Sequence, residues 1–188
     1  MRVITGTARG RRLKELEGME TRPTTDRVKE GLFSALQFEI EGRRVLDLFA
    51  GTGQLGIECL SRGAASVVFV DRRADAVKLI RENLKLTELS DRAQVVSGDS
   101  MEYLNRVREK FDLIFLDPPY AAGLLEPALA HIAKFDILSP HGIIIAEAPA
   151  DKKLPALSAP YGISRTYRYG KIGLTLYRRS GEEKNEEF

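Results

Sequence analysis

The sequence of 188 residues has one cysteine, two histidines and no long hydrophobic run. A single cysteine excludes an internal disulfide framework and favours a reducing compartment. A membrane-spanning helix needs about 18 consecutive apolar residues, and no such stretch occurs. The N-terminus also lacks the apolar centre of a secretory signal. These absences predict a cytoplasmic protein without contact to a membrane. The histidines, His131 and His141, show no metal-ligand spacing, so we expect no metal site.

An excess of charge of one sign is also missing. Lys and Arg number 29 against 27 Asp and Glu, which excludes a simple polycation. The distribution is uneven, because residues 1–14 carry five basic side chains and no acid, whereas residues 180–188 carry four glutamates and one lysine. We therefore predict a basic N-terminal arm or hairpin at 1–24, a folded domain at 25–179 and a disordered acidic tail at 180–188.

Between these ends, short apolar runs alternate with segments of helical spacing. A first helix carries Val28, Leu32, Phe33, Leu36 and Ile40. Predicted strands then lie at 45–49, 67–70, 94–96, 113–116 and 143–146, and predicted helices at 54–61, 74–86, 101–107 and 124–133. Two further strands, 164–169 and 173–178, flank a turn. This order predicts an α/β fold whose sheet is mostly parallel, is covered by helices on both faces and ends in an antiparallel hairpin.

The first strand ends at Gly51-Thr52-Gly53-Gln54-Leu55-Gly56, which matches the pattern G-x-G-x-x-G. Such glycines allow a tight turn and let a ligand approach the backbone. Asp71 follows the next strand, where a carboxylate can accept hydrogen bonds from both ribose hydroxyls. Alone, Asp71 also fits a solvated acid at a strand end. The pattern fits a dinucleotide such as NAD or another cofactor that carries adenosine.

Asp47 favours the second kind of cofactor. It lies inside the strand, and a buried carboxylate needs a partner. A pyrophosphate at the next helix would meet an unwelcome second negative charge, whereas a sulfonium cofactor with an amino-acid tail would not. The D-x-F-x-G-x-G arrangement from Asp47 to Gly53 resembles motif I of S-adenosylmethionine-dependent methyltransferases. Asp99 resembles that family's adenine-binding acid, with a helix N-cap as the alternative.

The fourth strand runs into Asp117-Pro118-Pro119-Tyr120. This tetrad resembles motif IV of methyltransferases that modify amino nitrogens; a proline turn with a surface tyrosine is the simpler alternative. An exocyclic amine is a poor nucleophile, because its lone pair is delocalised into the ring. The Asp117 carboxylate and the Pro118 carbonyl would accept hydrogen bonds from the two N–H groups of the amine. Tyr120 would stack on the target base after this base has left the nucleic-acid helix. We predict that these three residues are catalytic.

Two N-terminal segments narrow the choice among possible substrates. Residues 2–13 and 21–30 fit the pattern R-[VI]-I-x-G…R-G-R-x-L…R-P-T-T-D-R-V-[KR]-E. Together with the glycine loop, the tetrad and the late hairpin, this pattern resembles the RsmD family, bacterial enzymes that methylate guanine N2 in small-subunit 16S ribosomal RNA. The resemblance runs from Met1 to about Arg178. It implies a Rossmann-like class I methyltransferase with a seven-stranded sheet, S-adenosyl-L-methionine as cofactor and ribosomal RNA in the assembled small subunit as partner; we expect a monomer.

We assign residues to two sites on these grounds. The predicted cofactor site comprises Asp47, Phe49, Gly51, Gly53, Asp71, Arg72, Asp99 and Ser100, with Arg22 and Thr24 added from the resemblance. The predicted RNA-binding residues are Arg9, Arg11 and Arg12 in the arm and Arg168, Tyr169 and Lys171 in the final hairpin. Basic residues contact phosphates, and aromatic residues stack on unpaired bases.

Three alternatives remain open at this point. The same chemistry could act on adenine N6 in RNA or DNA, although 188 residues leave no room for a separate DNA target-recognition domain. An NAD-dependent oxidoreductase explains the glycine loop and Asp71 but gives no role to Asp47 or the tetrad. A catalytically silent RNA-binding module does not need the intact Asp117.

Overall fold

A computed structural model of the protein describes residues 1–18 and 26–179. The chain divides into two compact units, Met1–Val107 and Arg108–Phe188, which we call the N-terminal and the C-terminal unit. In the part of the chain that the structure describes, no helix is both long and apolar enough to cross a bilayer.

The N-terminal unit alternates helices and strands. Its elements are α1 (Asp26–Ala35), β1 (Arg44–Asp47), α2 (Gln54–Ser61), β2 (Ser66–Asp71), α3 (Ala74–Thr87), β3 (Ala93–Ser97) and α4 (Ser100–Arg106). The strands run parallel in the order β3-β2-β1. The apolar residues of β1, Val45 and Leu46, and those of β2, Val67–Val70, are all buried. The carboxyl ends of all three strands therefore lie along one edge of this part of the sheet.

The C-terminal unit contains β4 (Phe111–Leu116), α5 (Leu125–Phe135), β5 (Leu138–Pro149), β6 (Tyr161–Tyr169) and β7 (Ile172–Arg179). β4 and β5 are parallel, whereas β5 pairs antiparallel with β7, and β7 with β6. The chain thus forms a mixed sheet of seven strands that is mostly parallel and ends in an antiparallel hairpin. This confirms the predicted α/β fold class.

Several element boundaries differ from the sequence prediction by a few residues, and two of these differences have a clear physical reason. The first helix ends at Ala35, although the helical spacing continues to Leu36 and Ile40. Leu36 and Ile40 lie in the turns that follow the helix, and both side chains are buried. The helical spacing of these two residues therefore reflects their burial and not a continuing helix. β5 begins at Leu138 instead of Ile143, because the pairing with β4 shifts register near Phe111 and accommodates the intervening polar residues.

Candidate active site

The glycine loop joins β1 to α2 in a tight turn. Gly51 and Gly53 adopt φ angles of 57° and 82°, a region that side chains with a Cβ rarely enter. The Gly53 amide donates to the Ala50 carbonyl at 2.8 Å and closes the turn. No described atom beyond the chain neighbours lies within 4 Å of a Cβ built on Gly51. The backbone at Gly51 is therefore open to a ligand.

Asp47 at the end of β1 is nearly inaccessible, with 3% of its surface exposed. Its Oδ2 accepts a hydrogen bond from the Gly56 amide at 3.2 Å. Gly56 is the third residue of α2, and the residue that precedes this helix, Gly53, has no side chain to cap it. Asp47, which lies on the preceding strand, therefore accepts a hydrogen bond from an amide in the first turn of the helix. Its negative charge also interacts favourably with the positive end of the helix dipole.

Gly56 also sets the distance between α2 and the sheet. A Cβ at this position would lie 2.3 Å from the ring of Phe69 and 2.8 Å from the side chain of Val67. Both partners belong to β2, so the third glycine of the loop is required for packing of the helix on the strand. Cys59 of α2 is also buried, and this burial raises the pKa of its thiol well above the usual value.

Asp71 at the end of β2 connects two loops. Its Oδ2 accepts from the Gly51 amide at 2.9 Å, and its Oδ1 accepts from the Arg73 amide at 2.9 Å. Because both oxygens take backbone N–H groups, the side chain fixes the glycine loop against the turn before α3. The neighbouring predicted residue, Arg72, has an exposed side chain. Phe49, before the loop, is half-buried.

Asp99 is the N-cap of α4. Its Oδ1 accepts hydrogen bonds from the amides of Met101 at 2.9 Å and Glu102 at 3.0 Å. This confirms the capping alternative raised from the sequence. The adjacent Ser100 is buried at the start of the helix. The N-terminal unit thus brings the glycine loop, Asp47, Asp71 and Asp99 to one edge of its sheet. Arg22 and Thr24 lie outside the described residues.

The predicted catalytic tetrad directly follows β4 in the C-terminal unit. Pro118 is buried, Asp117 and Tyr120 are half-buried, and Pro119 is exposed. The chain then makes a short 3-10 turn at Tyr120–Ala122, in which the Ala122 amide donates to the Pro119 carbonyl at 3.0 Å. Two proline rings and this turn hold the backbone of the tetrad in one shape.

A small cleft of about 50 Å³ opens beside the tetrad. Pro118, Tyr120 and Glu147 of β5 are among the residues that line it. The Tyr120 hydroxyl donates to Glu147 Oε1 at 3.4 Å, and Glu147 is only 6% exposed. At the rim, Lys152 forms an ion pair of 2.7 Å with Glu126. The cleft therefore combines a flat aromatic ring, a proline and a buried carboxylate.

The basic segment at residues 1–14 packs on the rest of the N-terminal unit. Arg2 and Arg12 form an antiparallel bridge, and Val3 and Leu13 are buried beside them. The side chains of Arg9 and Arg12 are exposed. Such side chains are accessible to phosphate groups.

Arg11 makes contacts within the protein. Its guanidinium donates to the Leu86 carbonyl at 2.6 Å and to the Glu88 carboxylate at 2.8 Å. Both partners lie at the C-terminal end of α3, where a cation also interacts favourably with the helix dipole. Arg11 therefore secures the segment to α3, a contact that the sequence pattern did not reveal.

The last hairpin presents the second predicted RNA-binding group on β6 and the β6–β7 turn. The rings of Tyr167 and Tyr169 stack with centroids 6.5 Å apart. Arg168 and Lys171 are exposed, and the Arg168 side chain donates to the Gly170 carbonyl at 3.2 Å. The structure places Arg168, Tyr169 and Lys171 together at this end of the hairpin.

Sequence reasoning missed a buried charge cluster under the N-terminal segment. Glu58 of α2 and Lys29 of α1 are both fully buried, with 3.5 Å between the carboxylate and the Nζ atom. Arg62 binds the same carboxylate at 3.0 Å. Burial lowers the pKa of Lys29, although the charge of Glu58 opposes this shift.

Glu58 also holds the arm itself. Its carboxylate accepts the amides of Ile4 at 3.0 Å and Thr5 at 3.1 Å. The signal in the sequence was an acid within the apolar run Leu55–Leu60, and Glu147 likewise follows an apolar run in β5. Among residues 1–18 and 26–179, no group of three or more His, Cys, Asp or Glu side chains is placed to hold a metal ion.

Comparisons with known proteins cover almost the entire chain. The family model described as Conserved hypothetical protein 95 matches residues 1–178. The Bacillus subtilis protein YlbH is 41% identical over 184 residues, 96% of this chain and 100% of that protein. Ribosomal RNA small subunit methyltransferase D of Escherichia coli K12 is 34% identical over 187 residues, 99% of this chain and 93% of that protein. A solved structure of Escherichia coli yhhF superimposes with a TM-score of 0.87 at 32% identity and covers 96% of this chain and 98% of that one.

Proposed function

Because the chain belongs to the RsmD family, we propose that it methylates the exocyclic N2 amine of a guanine in 16S ribosomal RNA, with S-adenosylmethionine as methyl donor. The name of the Escherichia coli relative, ribosomal RNA small subunit methyltransferase D, supports the class of substrate. The assembled small subunit, in which the target base is presented in a fixed surrounding, is the proposed form of that substrate.

The observation that carries this proposal is the tetrad after β4, with its buried Pro118 and half-buried Asp117 and Tyr120. The Asp117 carboxylate and the Pro118 carbonyl are acceptors for the two N–H bonds of the guanine amine. Hydrogen bonds to both N–H groups favour a geometry in which the nitrogen lone pair leaves the plane of the ring and becomes available for bond formation. Tyr120 supplies a flat face for an unpaired base, and base–aromatic stacking contributes about 1–3 kcal/mol.

The residues of the N-terminal unit fit the proposed cofactor. The open backbone at Gly51 leaves space for a ligand, and Asp71 and Asp99 place carboxylate oxygens at the ends of β2 and β3. Asp71 would accept ribose hydroxyls, Asp99 the adenine amine, and Asp47 would act near the amino-acid part. S-adenosylmethionine, when bound, supplies a methyl group on a positively charged sulfur that leaves as a neutral thioether.

Two clusters of exposed basic side chains support RNA as the substrate. Arg9 and Arg12 present cations on the arm, and Arg168 and Lys171 do so on the last hairpin beside stacked tyrosines. Phosphate contacts of this kind release counterions, so we expect affinity for small subunits to fall steeply as salt rises.

The decisive test is the product. Small subunits from cells that lack this protein are incubated with the purified enzyme and S-adenosylmethionine, and the nucleosides of the 16S RNA are separated and identified by mass. We expect one additional N2-methylguanosine in the treated RNA. N6-methyladenosine in its place, or no new methylated nucleoside, would overturn the proposal.

Calorimetry separates the two kinds of cofactor independently of the RNA. We expect S-adenosylhomocysteine to bind and NADH to show no heat of binding. The reverse result would favour an oxidoreductase.

A further inference from the structure

Glu147 has no role in the chemistry derived above, yet it shares a cleft with the tetrad. It lies in β5, whose neighbours are β4 on one side and β7 on the other. Leu116 pairs with Ala146 in the parallel register, so Glu147 stands one residue beyond, level with Asp117. The side chain is 6% exposed. Glu147 itself pairs with Leu174 of β7, so its carboxylate is carried by backbone that is fixed in the sheet.

Tyr120 carries a ring that is held less firmly than the backbone of the tetrad. It begins a 3-10 turn of three residues, and Gly123 after the turn adopts a left-handed conformation with a φ angle of 63°. The tyrosine ring is half-buried, so packing encloses only part of it. A ring that is only partly enclosed can rotate about its side-chain bonds, which weakens stacking on a base.

The hydrogen bond between these residues connects the turn to the sheet. The Tyr120 hydroxyl lies 3.4 Å from Glu147 Oε1, and both residues line the cleft. A hydroxyl at the far end of the ring is the point at which one contact best restricts the orientation of the whole ring.

We propose that Glu147 is a positioning residue that fixes the ring of Tyr120 for stacking on the target base. This inference rests on the proposed function, in which Tyr120 receives the base. Glu147 itself takes no part in methyl transfer: it accepts the tyrosine hydroxyl and holds the aromatic face in place before the RNA binds. An acceptor oxygen is what this role requires, so glutamine can replace glutamate.

A double-mutant cycle tests the proposal. Glu147→Ala removes the acceptor, and Tyr120→Phe removes the hydroxyl but keeps the ring. We expect each change to lower kcat/KM for small subunits about 5-fold to 10-fold, the size of one lost hydrogen bond. The effect should fall mainly on KM for the subunit, with the affinity for S-adenosylhomocysteine unchanged. Because both changes break the same contact, the double variant should be no slower than either single variant.

Two further variants complete the experiment. Glu147→Gln should restore most of the rate lost in Glu147→Ala, because the amide oxygen accepts the same hydroxyl. Asp151→Asn, an exposed acid of the same unit, should behave as wild type. Thermal unfolding of every variant separates loss of function from loss of fold. If Glu147→Ala does not fold, Tyr120→Phe still decides, since a wild-type rate in that variant overturns the proposal.

The outcomes against the proposal are distinct. Effects of the two changes that multiply in the double variant would show that Glu147 acts on the base directly instead of through Tyr120. A Glu147→Gln variant as slow as Glu147→Ala would show that the charge, not the acceptor, matters. A wild-type protein that forms no N2-methylguanosine would instead refute the proposed function, before any variant is compared.

Discussion

The two units hold their candidate site residues by different means. In the N-terminal unit, backbone amides bind the side chains of Asp47, Asp71 and Asp99, so each acid also fixes a loop or a helix end. In the C-terminal unit, proline rings and a short turn shape the tetrad, and a side-chain contact joins Tyr120 to Glu147.

The difference determines what a mutation can reveal. An acid that ties a loop cannot be removed without disturbing the loop, so binding and folding change together in the N-terminal unit. The backbone of the tetrad is constrained by Pro118 and Pro119 whatever precedes them. We therefore expect that a substitution in the tetrad can lower the rate of methyl transfer without lowering the stability of the fold.

The largest expected effect is that of Asp117→Ala on methyl transfer. Loss of the carboxylate removes an acceptor that we assign to the target amine, and removal of one such group typically costs about 100-fold to 1,000-fold in rate. Affinity for S-adenosylhomocysteine should stay within a few-fold and the melting temperature should hardly change. Single-turnover kinetics and calorimetry measure these quantities.

Asp91→Asn, an exposed acid of the N-terminal unit, is the control for Asp117→Ala. Unaltered turnover in the Asp117 variant would remove the assigned role. A large loss of stability in that variant would instead break the contrast between the units.

In the N-terminal unit, Glu58→Gln should mainly destabilise the fold. Lys29 would remain buried without the full charge of its partner, and breaking a buried ion pair typically costs about 3–5 kcal/mol. Urea unfolding measures the difference. Glu30→Gln changes an exposed acid on the same helix as Lys29 and should alter stability by less than about 0.5 kcal/mol. Equal stability of the two variants would contradict the structural role of the cluster.

A smaller effect is expected from Gly56→Ala. The added methyl group would meet the Phe69 ring at 2.3 Å, and overpacking of this kind costs about 1–3 kcal/mol. Gly98→Ala provides the matched control, because no described atom lies within 4 Å of a Cβ at that position. Thermal unfolding of both variants checks the prediction, and a Gly56→Ala protein as stable as Gly98→Ala would refute close packing of α2 on β2.

The residues named in these predictions also illustrate which parts of the structure could be predicted from the sequence. The apolar runs Val67–Val70 and Ile143–Ala146 correctly predicted β2 and the middle of β5, since burial imposes their composition. The glycine loop and the acids at strand ends were found because their spacing reflects local chain geometry. Glu58 and Glu147 were missed, because Lys29, the amide of Ile4 and Tyr120 lie far from them in the sequence, and an acid beside an apolar run does not identify such partners.

The smallest predicted effect concerns a charge cluster in the C-terminal unit. Asp136 ends α5 with a left-handed φ angle of 52°, and Lys110, Tyr161 and Arg179 donate to its carboxylate. These hydrogen bonds, that from Lys110 foremost, hold the pKa of Asp136 well below its ordinary value. The ionised form therefore stabilises the fold above the unfolded pKa of 3.8, and this contribution is lost as the pH falls through the lowered folded pKa.

Asp136→Asn isolates that charge, because asparagine tolerates the left-handed conformation. The side chain is 42% exposed, so solvent screening should limit the loss to less than about 1 kcal/mol at pH 7. Melting temperatures of wild type and variant should converge as the pH is lowered from 7 towards 2. A difference that persists in acid would show that the charge is not its cause.

The contact between Glu58 and the arm has a consequence for synthesis of the chain. Ile4 and Glu58 are 54 positions apart, so the amides of the arm find this acceptor only after α2 has been synthesised. Closing a loop of this length costs entropy that local contacts do not repay. We expect the arm to dock late, after the first strands and α2 have formed, and a nascent chain that stops short of residue 58 to leave its basic end undocked.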